Sequence, residues 1–136
     1  MIERVRNFAE LTTRTENFME AICKLRYQRY GRRKVGQLLD QIRGKSLYQA
    51  EQILANIPMR ATELVSDAIR SAGANLSVKL GRKLDLKTVW VTEAFADQGP
   101  MKMLKRVQPG PQGRAMPFKK KMCHIRVAVS DIKGGK

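Results

Sequence analysis

The chain has 136 residues, the size of a single domain that buries roughly two-thirds of its unfolded surface. Its apolar content of 43% is ordinary for a globular protein, whereas its net charge of +15 is not. No apolar run approaches the ~20 residues that span a bilayer, so we expect no membrane partner and instead a polyanionic one, in the first place nucleic acid.

The first 21 residues differ in charge from the rest. They contain three arginines and four glutamates, a net charge of −1, so the other 115 residues carry +16. We interpret residues 1–21 as an N-terminal extension without a secretory signal, and its glutamates argue against an intact transit peptide. Residues 16–25 fit a short amphipathic helix, whereas residues 23–27 alternate as a strand does. We favour a helix to about residue 20 and a strand from about residue 22.

Helical periodicity follows in three segments. The first covers residues 32–43, and the glycine that comes next is placed to end it. The second opens at Ser46, where Ser-Leu-Tyr-Gln forms a capping box, and stops before Pro58. The third covers about residues 60–78 and is closed by Gly81. All three carry apolar residues on one stripe, which predicts one helical layer over a core.

Two further strands are predicted at residues 86–97 and 124–130, which are rich in β-branched and alternating apolar residues. Residues 98–123 between them hold no acid and four of the five prolines, with too few apolar residues for a core. We therefore expect an α+β fold, a three-stranded antiparallel sheet covered on one face by three helices. A long basic β-hairpin, about residues 98–123, would protrude by roughly 35 Å. The domain would span residues 22–131, followed by a flexible tail.

Positive charge is concentrated in two clusters, one in residues 24–45 and one in the excursion at 98–123. In the first, Asp40 is the only acid, and several cations stand at the start of a helix, where the helix dipole disfavours them. A solvated helix face is the alternative for that cluster. The candidate nucleic-acid-binding residues are Lys24, Arg26, Arg29, Arg32, Arg33, Lys34, Arg43, Lys45, Lys102, Lys105, Arg106, Arg114, Lys119, Lys120 and Lys121.

No catalytic or metal-binding constellation is visible. Cys123 and His124 are adjacent, but neighbours in a strand point to opposite faces. The carboxylates of the preceding strand have no geometry for acid–base work, and we expect Glu93 to pair with Arg126. Cys23 and Cys123 with a single histidine do not make a zinc site, and we expect two buried reduced thiols, since a disulfide would need adjacent strands and an oxidising compartment. We predict no enzyme, no metal, no cofactor and no small-molecule substrate.

Five short motifs carry a resemblance to a known family. They are I-R-G-K-S at residues 42–46, A-I-R-S-A-G-A-N at 68–75, D-Q-G-P at 97–100, G-R-A at 113–115 and C-H-I-R-V at 123–127. In this order and spacing, over some four-fifths of the chain, they resemble the L-twenty-two family of large-subunit ribosomal proteins. The resemblance implies an α+β body sunk in ribosomal RNA (rRNA) and a hairpin that lines the peptide exit tunnel.

The resemblance also assigns roles by position. It implies that His124 contacts rRNA together with the basic residues of the body and the hairpin, and that neighbouring ribosomal proteins and the nascent peptide are partners. The tunnel-facing tip would consist of Gln108, Pro109, Gly110, Pro111, Gln112, Gly113 and Arg114. This tip lacks three arginines that the family usually has, which indicates that proline stiffness holds it more than charge. Gly31 stands where a serine often caps the first helix.

Residues 115–119 and 123–124 indicate the kind of ribosome to which the chain belongs, because they look most like the same segments of chloroplast members of the family. We therefore expect a plastid ribosome, with mitochondrial and bacterial origins open. Two other functions stay open from the residues alone. An architectural DNA-binding protein would place the same basic ribbon in a minor groove. A peripheral membrane protein would need a dominant cationic amphipathic helix, and none dominates here.

Overall fold

The computed structural model describes residues 19–132. Most of the helix predicted to about residue 20, and of the tail predicted at 132–136, lies outside the described residues. The first strand begins at Glu20, two residues earlier than predicted. The elements in chain order are β1 (Glu20–Gln28), α1 (Arg32–Ile42), α2 (Leu47–Ala55), α3 (Ala61–Leu80), β2 (Trp90–Gln98), β3 (Lys105–Pro109), β4 (Ala115–Lys119) and β5 (Cys123–Ser130). The predicted α+β class is confirmed.

Strand β5 is the centre of a three-stranded antiparallel sheet of order β1–β5–β2. Val127 lies opposite Cys23 of β1 and Ala94 of β2, so the buried residues of all three strands meet on one face. Ile125, Val127 and Val129 are each no more than 1% exposed, as the alternating pattern predicts. The last strand of the sequence is therefore the one that joins the other two.

The three helices form a layer on that buried face. Helix α1 packs on β2 and α3 packs on β1 and β5, while α2 packs against both other helices. Helix α1 buries Val35, Leu38, Leu39 and Ile42 completely or almost so, and each such leucine or isoleucine contributes about 1.5–3 kcal/mol by leaving water. Gly73 of α3 lets α2 approach closely, since a Cβ there would lie 3.2 Å from Leu47 Cδ1.

Helix ends follow their sequence signals. Ser46 Oγ accepts a hydrogen bond from the backbone N–H of Gln49 at 3.3 Å, so the predicted N-cap of α2 is confirmed. Gly81 adopts a left-handed φ of 63° and closes α3, as expected. Helix α2 ends at Ala55, somewhat before Pro58.

Strand β2 begins at Trp90, four residues later than the sequence predicts. The preceding residues are used to cover the start of helix α2. Leu86 accepts a hydrogen bond from the backbone N–H of Tyr48 at 3.0 Å, and Val89 accepts one from Leu47 at 2.9 Å. The carbonyls of Leu86 and Val89 thus accept hydrogen bonds from N–H groups at the start of α2, which have no partner within the helix. The β-branched composition of this segment predicts a strand and gives no sign of these contacts.

Strands β3 and β4 form a separate two-stranded sheet, which we call the ribbon (residues 105–119). Each strand has five residues, so the ladder is about 17 Å long, shorter than predicted because a 3₁₀ turn at 102–104 interrupts the first arm. Two hydrogen bonds join the two chain segments that form the root of the ribbon (residues 99–104 and 120–122). Gly99 N–H donates to Met122 O at 2.9 Å, and Lys120 N–H donates to Leu104 O at 3.1 Å.

Candidate nucleic-acid interface

An open groove of about 1550 Å³ lies between helix α1, strand β2 and the root of the ribbon. We call it the basic groove. Among the described residues, Asp40 is the only acid that lines it. Its eight basic side chains are Arg29, Arg32, Arg33, Lys34, Arg43, Arg106, Lys120 and Lys121. A concave surface of one charge sign concentrates the electrostatic field, so the groove favours a polyanion.

The basic groove joins the two clusters that the sequence places far apart. Gly31, the cap of α1, lies so close to the root that a Cβ on it would be 3.7 Å from Lys121 Cδ. Lys120 and Arg106 line the same groove from the ribbon side. Positive charge from residues 29–43 and from the excursion therefore faces one groove, which the sequence order does not show.

The start of helix α1 carries positive charge against its own dipole. Arg32, Arg33 and Lys34 occupy the first turn, which contains no acid. Each cation at a helix N-terminus is disfavoured by about 0.3–1 kcal/mol when exposed. All three side chains are exposed and open to solvent. A bound anion would remove this penalty, because the helix terminus and the three side chains would then all attract it.

Arg43 differs from the other basic residues of the groove because the fold itself uses it. Its Nη2 donates to the carbonyl of Ala94 at 2.6 Å and lies 3.1 Å from Asp40 Oδ1. These contacts fix the end of α1 against β2. About half of the side chain remains exposed, so Arg43 both anchors the helix and contributes charge to the groove.

The sheet face opposite the helices carries a second basic surface, which we call the sheet hollow. Its basic and aromatic lining residues are Lys24, Arg26, Tyr27, Phe95, His124 and Arg126. Arg126 lies over the ring of Phe95, with its guanidinium carbon 5.5 Å from the ring centre. It also lies 3.9 Å from Glu93, the pair that the sequence predicts. Arg126, Phe95 and Tyr27 are absent from the sequence-based site, since each reads as an ordinary strand residue.

His124 is placed by a hydrogen bond at the edge of the sheet hollow. Its Nδ1 accepts from the backbone N–H of Tyr27 at 3.0 Å, and the two rings are nearly perpendicular at 4.8 Å. Cys123, the preceding residue, is fully buried on the other face. The sulfur and the imidazole therefore point apart, as strand geometry predicts, and do not form a nucleophile–base pair.

The ribbon exposes every residue of both strands, including Val107, Met116 and Phe118. Lys105 lies directly opposite Lys119 at its base. Like charges in opposite positions destabilise a sheet pair, and an isolated two-stranded ribbon is marginal in water. The ribbon therefore has neither a core nor favourable charge pairing of its own, and a polyanion along it would supply the missing stabilisation.

The tip of the ribbon is closed by backbone contacts. Gly110 N–H donates to Arg114 O at 2.7 Å, and Arg114 N–H donates to Pro111 O at 3.2 Å. Gln112 and Gly113 both adopt left-handed φ values, 56° and 70°. The tip is thus a tight closed loop, in which Arg114 is the one charged side chain.

The remaining candidates lie outside both lined surfaces. Lys45 follows helix α1 and is exposed, and Lys102 lies in the 3₁₀ turn of the root. Lys105 and Lys119 stand at the base of the ribbon and Arg114 at its tip. The structure thus brings together eight of the predicted residues in the basic groove and three in the sheet hollow. Four others lie along the hairpin, and Lys45 lies on the body after α1.

Cys23 and Cys123 are free and buried at 6% and 0% exposure. Burial raises the pKa of the Cys123 thiol, an effect opposed in part by a backbone hydrogen bond involving Tyr30. The protonated thiol of Cys123 is therefore part of the core. Within residues 19–132, no cluster of three or more metal-ligating side chains occurs. Over the same range no helix has the length and apolarity to cross a bilayer.

Fold and site together define a class of protein, a small α+β body with a basic groove and a protruding basic ribbon. Residues 23–130 match the family model described as Ribosomal protein L22p/L17e. The large ribosomal subunit protein uL22 of Acaryochloris marina is 44% identical over 120 residues, which cover 88% of this chain and 97% of the relative. The corresponding protein of Nostoc punctiforme is 46% identical, with coverages of 83% and 92%.

A third relative, the large ribosomal subunit protein uL22c of Porphyra purpurea, is 42% identical over 117 residues, with coverages of 86% and 97%. This chain belongs to the ribosomal protein L22p/L17e family. It is a structural, non-enzymatic component of the ribosome, and the predicted family is confirmed.

The motifs that carry the resemblance have structural reasons in this chain. Gly44 adopts a left-handed φ of 74°, and its N–H donates to Val91 O at 2.9 Å, which links the loop after α1 to β2. Asn75 Nδ2 donates to Ile22 O at 3.2 Å and ties α3 to β1. These residues hold the body together, and the groove is built on it.

Proposed function

We propose that this chain is a structural constituent of the large ribosomal subunit that binds rRNA through the basic groove, the sheet hollow and the ribbon. One observation carries the proposal: two basic clusters far apart in sequence line a single concave surface, with one acid among its described residues. Recognition would rest on phosphate contacts and RNA shape, because eight cationic side chains line the groove and cations attract phosphate whatever the base sequence.

The ribbon extends this interface beyond the body. Its strands are wholly exposed, and basic residues stand at its base, root and tip. Together with family membership, this supports a hairpin that follows rRNA inward, with residues 108–114 at the peptide exit tunnel and near the nascent peptide. Neighbouring ribosomal proteins are the expected partners of the remaining surface. Residues 1–21 are proposed to contact protein or RNA peculiar to this ribosome.

Cosedimentation tests the proposal. Lysate containing the tagged full chain is centrifuged through sucrose at high magnesium, before and after nuclease treatment. The chain should sediment with large subunits, survive DNase and be released by RNase. Release by DNase alone would contradict rRNA binding and support a DNA-binding protein instead. Dispersal of the chain at the top of the gradient in every condition would contradict both.

A charge-reversal pair tests the groove itself. Replacing Arg33 and Lys34 by Glu should weaken association with large-subunit rRNA and flatten its salt dependence, since fewer phosphate counterions are released. Lys83→Glu combined with Lys87→Glu is the matched control, because both lysines are exposed and lie outside both lined surfaces. Equal binding by the groove variant and the control would contradict the assignment.

We further propose that the home of this protein is a plastid ribosome. The support is the motif at residues 115–119 and 123–124 together with the similarity to cyanobacterial relatives and to uL22c of Porphyra purpurea. The position of the gene tests this. A plastid genome carrying the gene would agree with the proposal, whereas a bacterial chromosome would overturn it.

A further inference from the structure

Tyr27 has a backbone conformation that its side chain disfavours. Its φ is 58°, in the left-handed region, and apart from glycine only Gln112 shares this sign of φ within residues 19–132. The β1–β5 register shifts between Leu25 and Gln28, so a bulge falls at Tyr27. For a bulky residue such a φ is an outlier, and strained residues of this kind cluster at binding sites.

The bulge turns the tyrosine outward. Simple alternation from Cys23 through Leu25 would place Tyr27 on the buried face, yet it is 58% exposed. Its backbone N–H donates to His124 Nδ1, which fixes the bulge and requires that nitrogen to be unprotonated. The perpendicular ring contact with His124 at 4.8 Å holds the aromatic group at the rim of the sheet hollow.

The surroundings suit one nucleotide. Lys24, Arg26 and Arg126 line the sheet hollow, and Asp97 is the single acid among its described lining residues. Phe95, the other aromatic residue of the hollow outside the histidine, already has the Arg126 guanidinium over its ring. Tyr27 therefore offers the exposed ring, and the neighbouring cations offer phosphate contacts on either side of it.

We propose that Tyr27 is a stacking platform for one unpaired RNA nucleotide, whose flanking phosphates contact Lys24 and Arg26. The inference rests on the proposed rRNA-binding function and adds the nucleotide class that the sheet hollow takes. Unpaired bases are the ones that can leave a stack and lie on a protein ring, whereas duplex RNA presents mainly its backbone. The strained bulge is then the device that presents the ring.

The test uses the full chain and a fluorescently end-labelled single-stranded uridine decamer, with an RNA duplex of equal length for comparison. Tyr27→Asn removes the ring but suits the backbone, because asparagine tolerates a left-handed φ. Tyr27→Phe keeps the ring. Tyr48→Asn is the matched control, since Tyr48 is similarly exposed (44%) but lies on α2, outside the hollow.

Tyr27→Asn should weaken binding of the single strand about fivefold or more without changing the slope of log K against log salt. Tyr27→Phe and Tyr48→Asn should bind as the parent chain does, and duplex binding should change little in all three tyrosine variants. Arg26→Gln should instead make the salt slope shallower by about 0.7. This contrast separates stacking from charge.

The outcomes distinguish the two proposals. Failure of the parent chain to bind either RNA or large subunits would overturn the proposed function. Normal RNA binding by the parent chain with equal single-strand affinity in Tyr27→Asn would overturn the platform alone. Should Tyr27→Asn fail to fold, photocrosslinking of the parent chain to 5-iodouridine RNA decides, because a stacked base must crosslink at Tyr27, and crosslinks confined to other residues would contradict the inference.

Discussion

Lys105 and Lys119 lie directly opposite each other at the base of the ribbon, where no acidic side chain is paired with either among the described residues. Like charges in this arrangement oppose strand pairing, and opposite charges favour it by about 0.2–1 kcal/mol. The ribbon of the free chain is therefore weakened by the same residues that would bind phosphate. The two positive charges therefore lower the stability of the ribbon and would raise its affinity for phosphate.

Lys119→Glu should stabilise the ribbon of the free chain and weaken its binding to rRNA. In the free chain it should slow amide hydrogen exchange across residues 105–119, because the introduced carboxylate would attract Lys105 across the ladder. On rRNA the same change should weaken binding and flatten the salt dependence. Lys83→Glu serves as the control for net charge, and it should leave ribbon exchange unchanged. Faster exchange in Lys119→Glu would contradict the proposed repulsion.

Gly99→Ala should destabilise the root of the ribbon. A Cβ there would lie 3.1 Å from Met122 Cβ and 3.2 Å from the Met122 carbonyl, against backbone that has little room to move. Overpacking of this kind costs about 1–3 kcal/mol, measured by urea unfolding. Gly36→Ala is the matched control, because nothing lies within 4 Å of its added Cβ in helix α1. That variant should gain about 0.5–1 kcal/mol, and an equal loss in both would refute the argument.

Arg43→Lys should lower stability although it preserves charge. One ammonium group cannot reproduce the contacts that the guanidinium makes with Ala94 O and Asp40. The expected loss is about 1 kcal/mol in urea unfolding, small because the side chain is half exposed. Arg33→Lys, in the exposed first turn of the same helix, should unfold like the parent chain. If both variants unfold alike, Arg43 has no anchoring role.

Cys123 should resist alkylation in the folded chain. Burial limits access of the reagent, and it raises the thiol pKa, which lowers the fraction of thiolate. Both effects slow the reaction. Iodoacetamide labelling followed by mass spectrometry should be slow at pH 8 and fast in urea. Rapid labelling of the native chain at Cys123 would show that the site opens readily.

The same shift predicts a pH dependence of stability. The folded chain retains the Cys123 proton to a higher pH than the unfolded chain, whose thiol has a pKa of about 8.5. This contribution is complete below that value and is lost as the pH rises through the folded pKa. The urea midpoint should therefore fall more between pH 8 and pH 10 in the parent chain than in Cys123→Ala.

Deletion of the tip tests the division of labour between body and ribbon. A chain lacking residues 108–114 retains the basic groove and the sheet hollow, so it should still associate with large subunits. Passage of the nascent chain or sensitivity to tunnel-binding drugs should change. Loss of subunit association on this deletion would show that the tip, and not the body, is needed for attachment.

Much of the fold follows from local signals in the sequence. The cap at Ser46, the terminating Gly81 and the alternation at Ile125, Val127 and Val129 are each read correctly, because each depends on a residue and its near neighbours. Family motifs then order these elements into one domain. Local signals and family motifs together therefore predicted most of the body, with the start of β2 as an exception.

The site was less accessible to sequence reasoning, since it depends on distant contacts. The basic groove exists because α1 packs on β2, whose neighbour β5 returns from the ribbon, so Lys121 reaches Gly31. No local sequence pattern predicts that Lys121 lies next to Gly31. Tyr27 was missed for a related reason. Strict alternation assigns it to the buried face of the sheet, but a bulge in the pairing of β1 with β5 places it on the exposed face.

The root separates a body that is held by its own apolar core from a ribbon whose strands are wholly exposed. If the body binds rRNA as proposed, it can do so before the ribbon is ordered. Under the proposed function, rRNA that folds around the ribbon would make it rigid. Protection of the ribbon from proteases would then report that rRNA has folded around it during assembly of the large subunit.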